Sequence, residues 1–196
     1  MALTGGLAPG FLLASPQLGD PNFERTVVLL AHHDDEGALG WVINGRPLVP
    51  VRQLLHDANI VPSGVTLPET EAFSTMVRVG GPVVPGSAWL VYWRDERATS
   101  YAGEHDLGGG VAVTGAREAL EAVARGEGPR QFRMFLGYAG WGPQQVEGEI
   151  RAGAWLPSSF DASLLALEAE AIWAVGYKQA VGTVPMAFTG TKRGSA

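Results

Sequence analysis

The amino-acid sequence predicts a single α+β domain. Its 196 residues are enough to bury one hydrophobic core without disulfide or metal support. Hydrophobic residues make up 46% of the chain and charged residues 17%, a balance typical of folded proteins and unlike that of disordered ones. Strand patterns and helix patterns alternate without the strict strand–helix–strand rhythm of a doubly wound parallel sheet, which favours α+β.

The first part of the chain has a strand and hairpin pattern. Residues 11–14 form a short apolar run, and residues 26–32 and 38–43 are apolar on both alternating faces, as in strands covered on both sides. Residues 34–37, Asp-Asp-Glu-Gly, lie between the last two runs. Aspartate tolerates turn geometry and glycine supplies a positive φ, so the pattern predicts a β-hairpin closed by this acidic turn.

Four further strands are predicted where short apolar runs meet turn residues. They span residues 77–79, 88–93, 111–114 and 132–138. Pro50 suits the first turn of a helix over residues 51–58, whose apolar residues share one face. Residues 59–75 have no clear period, which predicts a loop.

Five helices are predicted in all, four of them in the second half of the chain. Thr114 is expected to cap a helix over residues 116–124. Pro143 is expected to open a second helix, because proline is favoured in a first turn. Asp161 is a predicted N-cap of a helix that carries Leu164 and Leu165, and a final helix is predicted over the run that includes Trp173.

Composition argues against several functional classes. Fourteen Lys and Arg residues against 20 Asp and Glu give a net charge of −6, which opposes direct nucleic-acid binding and attraction to anionic lipid. No apolar run approaches the roughly 20 residues needed to span a bilayer, and the beginning of the chain lacks the basic leader of a secretory signal. The chain has no cysteine, so disulfides and thiolate chemistry are excluded. We therefore expect a cytoplasmic protein without membrane association.

His32 and His33 lie beside the acidic turn, in the densest concentration of chemically active side chains in the sequence. A metal ion requires three or four converging ligands, but neighbouring side chains of a strand point to opposite faces. No HExxH motif, P-loop or G-x-S-x-G motif is present. The pattern favours a solvated hairpin end with no metal, cofactor or catalytic residue. The alternative is a metal-assisted or acid/base hydrolase that uses the two histidines and the nearby acids.

Residues 137–145, Gly-Tyr-Ala-Gly-Trp-Gly-Pro-Gln-Gln, connect a predicted strand to a predicted helix. Such a turn leaves backbone N–H groups and the positive end of a helix dipole available to an anion, although Pro143 has no N–H. Alternatively, the glycines permit close strand-to-helix packing while Tyr138 and Trp141 fill the core. The packing role is favoured, and a ligand role stays open.

Several motifs are spread over nearly the whole chain. They are residues 11–16 (FLLASP), 20–30 (DPNFERTVVLL), 37–44 (GALG and VIN), 80–83 (GGPV) and 137–142 (GYAGWG), the last followed by Gln145, Glu147 and Trp155. Together and in this order they resemble the YqgE/AlgH family of bacterial proteins.

The resemblance implies a small cytosolic α+β protein whose mixed or antiparallel, partly barrel-like sheet is flanked by helices. One such domain would span residues 1–190, and the polar residues 191–196 would form a flexible C-terminal tail. The family has no established biochemical activity. Some members are labelled transcriptional regulators because AlgH is associated with alginate production, and that label describes a genetic effect.

This sequence departs from the family at Asn44-Gly45-Arg46-Pro47, because members usually have a basic residue directly after the asparagine. The additional Gly45 is expected to turn Arg46 away from the position of its counterpart, so the resemblance applies more directly to Asn44. Asn-Gly is also a signal for a tight turn, which explains the insertion structurally.

The candidate ligand-binding residues are polar or glycine-motif residues near predicted strand ends. They are Ser15, Asp20, Asn22, Arg25, Asn44, Arg46, Gly140 and Trp141. Two functional hypotheses follow. The first is a non-catalytic binding or regulatory module whose partner is a small molecule or a protein and whose effect on transcription is indirect. The second is the hydrolase described above. The sequence does not specify an oligomeric state.

Overall fold

The computed structural model describes residues 6–16, 24–98 and 100–182. These residues form ten strands: β1 Gly10–Ala14, β2 Val27–Asp34, β3 Gly37–Val42, β4 Pro47–Pro50, β5 Met76–Val79, β6 Val83–Trp93, β7 His105–Gly108, β8 Val111–Thr114, β9 Phe132–Trp141 and β10 Trp155–Ser159. They also form six helices: α1 Val51–Asp57, α2 Glu71–Ser74, α3 Arg117–Ala124, α4 Gln145–Arg151, α5 Ala162–Leu165 and α6 Ala169–Val181. None of these described helices has the length and apolar character required to cross a bilayer.

The ten described strands form one mixed sheet with the main order β10-β1-β2-β3-β9-β6-β8-β7. β5 pairs in parallel with β9, β4 pairs with β5, and the other pairs are antiparallel. Within the described residues β10 and β7 do not pair with each other, so the sheet is not closed into a barrel. The sheet nevertheless curls, since the ring centroid of His105 on β7 lies 6.4 Å from that of Trp41 on β3. The predicted α+β class with a mixed sheet is confirmed.

The hydrophobic core lies on both faces of the sheet. One cluster, which includes Leu29, Trp41 and Phe135, packs with α5 and α6. On the opposite face, one cluster packs beneath α1 and α3 and another packs beneath α4. Val27 to Leu30 are therefore all buried, alternately on the two faces, as their uninterrupted apolar pattern predicts.

The acidic segment closes the predicted hairpin between β2 and β3. The Asp34 carboxylate accepts hydrogen bonds from the backbone N–H groups of Glu36 at 2.8 Å and Gly37 at 3.2 Å. These bonds lower the pKa of Asp34, with a further contribution from His32. The aspartate thus stabilises the turn through its own side chain, a common role of this residue type in turns.

Three strands have no clear signal in the sequence. β4 and β10 contain proline, which lacks the N–H that a sheet ladder requires, and β7 is short and polar. Each is formed by pairing with a neighbouring strand, as when β10 aligns five residues with β1. The short helix α2 also lies within the segment predicted as a loop.

Two predicted boundaries differ from the structure. β9 continues to Trp141 because its last residues pair with β3, so α4 begins at Gln145 rather than at Pro143. The N-cap of α3 is Ala116, and Thr114 lies at the end of β8, where its hydroxyl accepts a hydrogen bond from the Ala116 N–H at 3.0 Å.

A close backbone crossing joins β3, β5 and β9. One side of β9 pairs with β6, and the other side pairs first with β5 and then with β3. Gly80 connects β9 to β3 at this crossing, because its N–H donates to Leu136 O at 2.7 Å and its C=O accepts from the Val42 N–H at 2.8 Å. A Cβ atom on Gly81 would lie 2.2 Å from the Tyr138 carbonyl group, and Gly81 has a φ of +156°. Only glycine fits at this position without a backbone shift.

We expect Gly81→Ala to reduce the free energy of unfolding by roughly 2–4 kcal/mol, because the new methyl group meets rigid backbone atoms. Gly86→Ala is the matched control, since a Cβ there has no atom within 4 Å and the backbone is not left-handed. Urea denaturation of both variants measures the difference. Equal stability of the two variants would contradict the proposed role of the crossing.

Candidate functional site

The two hairpin histidines point in different directions. His32 Nε2 lies 2.8 Å from the Asp34 carboxylate at an exposed position. His33 Nε2 lies 2.8 Å from Glu147 Oε1 on α4, and the His33 side chain is only 14% exposed. The two imidazoles therefore have separate carboxylate partners, as the alternation of side chains along a strand predicts.

Both ring nitrogens of His33 have partners. The Leu7 N–H donates to Nδ1 at 3.3 Å, so the ring proton lies on Nε2 and is donated to Glu147. The hydrogen bond from its own backbone N–H and the one from His33 lower the pKa of Glu147. A general base needs a nitrogen within reach of a substrate proton. His33 has none free in this arrangement, and it connects β2 to α4.

No group of three His, Asp or Glu residues that could hold a metal ion occurs within the described ranges. A third imidazole, that of His105, has its ring centroid 6.4 Å from that of Trp41. Burial, and then the nearby His32, lower the pKa of His105. The hairpin end thus has pairwise contacts without the three or four converging ligands of a typical zinc site.

The glycine-rich motif after β9 is part of an internal hydrogen-bond network. The Trp141 and Trp155 indole N–H groups both donate to Glu149 Oε2, at 3.0 and 2.7 Å. The Gly142 N–H donates to Gln145 Oε1 at 3.1 Å. Gly140 is exposed beside this network. The motif holds α4 against the sheet, and the donors expected for an anion are partly used by the protein itself.

Asn44 joins the start of β2 to the end of β3. Its Oδ1 accepts from the Val27 N–H at 2.8 Å, and its Nδ2 donates to Arg25 O at 2.7 Å. The Arg25 guanidinium lies 5.5 Å from the ring centre of Trp173 on α6, a cation–π contact. Ser15 lies just beyond β1, where its N–H donates to Ala154 O at 2.9 Å.

Other predicted candidates are more separate. The Arg46 side chain is exposed, while its backbone C=O accepts from the Val79 N–H at 3.1 Å. Asp20 and Asn22 lie outside the described residues, as does the predicted tail at residues 191–196. The structure thus connects Arg25, Asn44 and Trp173 near α6 and places Trp141 in a different network.

A cleft of about 420 Å³ lies on the α6 side of the sheet. We call it the arginine cleft. Its lining includes Ser74, Thr75, Arg78, Gln131, Arg133 and Glu168, together with apolar residues of β9 and α5. Among the described lining residues there is no histidine, so the two hydroxyl groups have no imidazole base beside them. The cleft offers positive charge and hydrogen-bond donors.

The register of β5 on β9 brings the two arginines together. Arg78 pairs with Phe135, and Arg133 lies two residues before Phe135 on the same strand. Paired residues share a face of a sheet, and so do residues two apart on one strand. Both arginine side chains therefore lie on the same face, where they line one cleft.

Arg133 is the less compensated of the two cations. It donates a hydrogen bond to Leu167 O, and within the described part of the chain no carboxylate forms an ion pair with it. Burial lowers its pKa, and nearby Arg78 acts in the same direction, while Glu168 and Glu170 oppose them. Arg78 donates to Gly45 O at 2.9 Å and pairs with Glu170 on α6 at 3.3 Å.

The sequence-based prediction did not find this cleft. Each arginine is a single charged residue within an apolar strand, and this was the only available signal. Charged residues are seldom buried unless they are paired. An isolated arginine in a buried strand therefore indicates either an ion pair or a binding site, but the sequence does not show that the two strands are parallel neighbours.

These features define a one-domain α+β protein with a curled open sheet and a polar cleft. The sequence profile of the AlgH-like family matches residues 11–184. The chain therefore belongs to the AlgH-like family, which confirms the resemblance found in its motifs.

Relatives support this assignment. The chain is 41% identical over 163 residues to a UPF0301 protein of Anaeromyxobacter sp. strain Fw109-5, covering 83% of this chain and 81% of the relative. It is 40% identical over 169 residues to a UPF0301 protein of Myxococcus xanthus, covering 85% and 87%. These names do not describe a biochemical activity.

Solved structures have the same fold. The solution structure of the AlgH protein from Pseudomonas aeruginosa superposes with a TM-score of 0.75 at 28% identity, covering 100% of this chain and 99% of that one. A crystal structure of a Corynebacterium diphtheriae protein has a TM-score of 0.69 at 20% identity, covering 95% and 93%, and this similarity concerns the fold alone.

We expect Asn44→Ala to reduce the free energy of unfolding by about 1–3 kcal/mol, because it leaves the N–H of the fully buried Val27 without its acceptor. Arg46→Ala is the control. It truncates an exposed side chain and should change stability by less than about 0.5 kcal/mol. Chemical denaturation compares the two variants, and an unchanged stability of Asn44→Ala would show that Asn44 is not a structural residue.

We expect Glu147→Gln to weaken the acid dependence of stability. Since the pKa of Glu147 is lowered in the folded protein, its ionised form contributes stability above the unfolded-state pKa of about 4.3, and this contribution is lost as pH falls through the folded pKa. Melting temperatures between about pH 6 and pH 3 should fall less in the variant than in the wild type. Glu36→Gln is the charge-matched control, since it neutralises an exposed carboxylate of the same hairpin and leaves the His33–Glu147 contact in place. Identical slopes for Glu147→Gln and wild type would refute the assigned role.

Proposed function

We propose that this protein is a non-catalytic binding module that holds a small molecule in the arginine cleft. The observation that supports this most strongly is Arg133, a half-buried cation without a carboxylate partner among the described residues, within a cleft of about 420 Å³. A desolvated guanidinium is unfavourable unless something compensates its charge. Cavities of roughly 300–1,000 Å³ are typical of small-molecule sites.

The competing hypothesis is an acid/base hydrolase at the hairpin. The short contact between His33 and Glu147 favours it, because catalytic imidazoles are often oriented by a carboxylate. Two observations count against it. The second ring nitrogen of His33 accepts a backbone N–H, and His32 has its own partner at an exposed position. We therefore favour binding over catalysis, with the His33–Glu147 pair as a structural link.

We place the protein in the cytoplasm and propose that any regulatory effect is indirect. The chain has no cysteine, which is compatible with a reducing compartment. Its net charge of −6 opposes direct contact with nucleic acid. One boundary of the arginine cleft is formed by Glu168 and Ala169, at the start of α6. A ligand bound there would contact this end of α6. A protein partner that binds this end would then distinguish the occupied cleft from the empty one.

A screen of cellular metabolites by thermal shift, repeated with two tyrosine variants, tests this proposal. A ligand that binds only the folded state raises the melting temperature. Ala166→Tyr adds a large side chain at an exposed position that lines the cleft. Ala174→Tyr adds the same side chain at an exposed position of α6 outside the lining, and is the matched control.

We expect a metabolite that stabilises the wild type and Ala174→Tyr but not Ala166→Tyr. A metabolite that stabilises all three equally would place the site elsewhere. Turnover of that metabolite by the wild type, abolished by His33→Asn, would instead support the hydrolase.

A further inference from the structure

The arginine cleft separates its charges by depth. Arg78 and Arg133 are partly buried, and the Arg78 side chain is 18% exposed. The acidic residues that line or adjoin the cleft, Glu71, Glu168 and Glu170, are all exposed, and the Glu170 side chain is 76% exposed. A ligand that enters the cleft therefore meets carboxylates at the surface and guanidinium groups inside.

We infer that the arginine cleft binds an oxyanion, the carboxylate or phosphate group of a small molecule, through Arg133 and Arg78, and that Glu170 occupies Arg78 when the cleft is empty. This inference rests on the proposed function and adds the chemical class of the ligand. It also assigns a regulatory role to the Arg78–Glu170 ion pair.

The hydrogen-bonding capacity of Arg133 supports an anionic ligand. A guanidinium carries five N–H donors in a planar fork, and the described residues accept only one of them, at Leu167 O. Carboxylate and phosphate oxygens match this fork and form strong, charge-assisted hydrogen bonds. An oxyanion would therefore supply the acceptors that the protein does not provide.

The proximity of the two cations points to the same ligand class. Burial is the main cause of the lowered pKa of Arg133, and the positive charge of Arg78 lowers it further against the opposing effect of Glu168 and Glu170, so the two cations repel each other. A negative group between them would offset this repulsion and compensate the positive charge of the partly buried guanidinium groups. A neutral ligand would do neither.

Glu170 is well placed to compete with the ligand. It contacts Arg78 at 3.3 Å from the first turn of α6, and the pair is open to solvent on the Glu170 side. Exposed ion pairs contribute little to stability, so displacement of Glu170 requires little free energy. Glu170 thus acts as an internal substitute for the ligand and lowers its affinity.

Titrations with inorganic phosphate and with malonate, at constant ionic strength with chloride as the balancing anion, test this inference. Nitrogen-15 NMR spectra of the arginine Nε–H groups report contact with the anion directly. The variants are Arg133→Met, which removes the fork, and Glu170→Gln, which releases Arg78. Arg125→Gln, at an exposed arginine after α3, is the control for the loss of one positive charge.

We expect one or both anions to shift the Arg133 and Arg78 signals of the wild type. Arg133→Met should weaken binding by about ten- to hundredfold, since it removes charge-assisted hydrogen bonds. Glu170→Gln should strengthen binding by about two- to fivefold, because one exposed ion pair no longer competes with the anion for Arg78. Arg125→Gln should bind as the wild type does. Preference for phosphate or for malonate identifies which oxyanion the ligand carries.

Three results would overturn the inference. They are no binding of either anion to the wild type, equal binding by wild type and Arg133→Met, or unchanged or weaker binding by Glu170→Gln. If Arg133→Met does not fold, Arg133→Lys keeps the charge without the fork and should still weaken binding. The metabolite screen separates this inference from the proposed function, because a neutral metabolite excluded by Ala166→Tyr would retain the binding module and refute only the oxyanion.

Discussion

The architecture depends on a backbone crossing that has no space for side chains. Residues 80–81 pass so close to β9 that a Cβ atom on Gly81 would lie 2.2 Å from the Tyr138 carbonyl, and one on Gly137 would lie 2.3 Å from Gly81 O. This approach allows β5 and β3 to follow each other along one side of β9 while β6 occupies the other. The parallel register of β5 on β9 places Arg78 on the same face of the sheet as Arg133. The arginine cleft therefore depends on the crossing.

The protein has two kinds of polar group near its strand ends. In the first kind the side chain is used internally. Asn44 bridges two backbone groups, and Glu149 accepts two indole N–H donors. Such groups stabilise the fold, because a buried donor or acceptor without a partner is costly. The second kind is represented by Arg133, which has more hydrogen-bond donors than its described neighbours accept. An excess of this kind inside a cleft is typical of a binding site.

Only part of the candidate site could be predicted from the sequence. Alternation along a strand was sufficient to separate His32 from His33, and turn chemistry was sufficient to assign Asp34 and the Asp161 cap. The structural roles of Asn44 and Trp141 required knowledge of which strand ends meet. The arginine cleft was not predicted, because its two cations lie far apart in the chain and each has an unremarkable local context.

The sequence by itself determined the α+β class, the acidic hairpin, the buried strands and the family, because each depends on patterns within short segments or on motifs in a set order. Tertiary structure decided the three strands without signals, the open curl of the sheet and the placement of Arg78 and Arg133 in one cleft. These features depend on long-range register, and register arises from the packing of whole strands against each other. A local pattern of side chains does not specify which distant strand will be its neighbour.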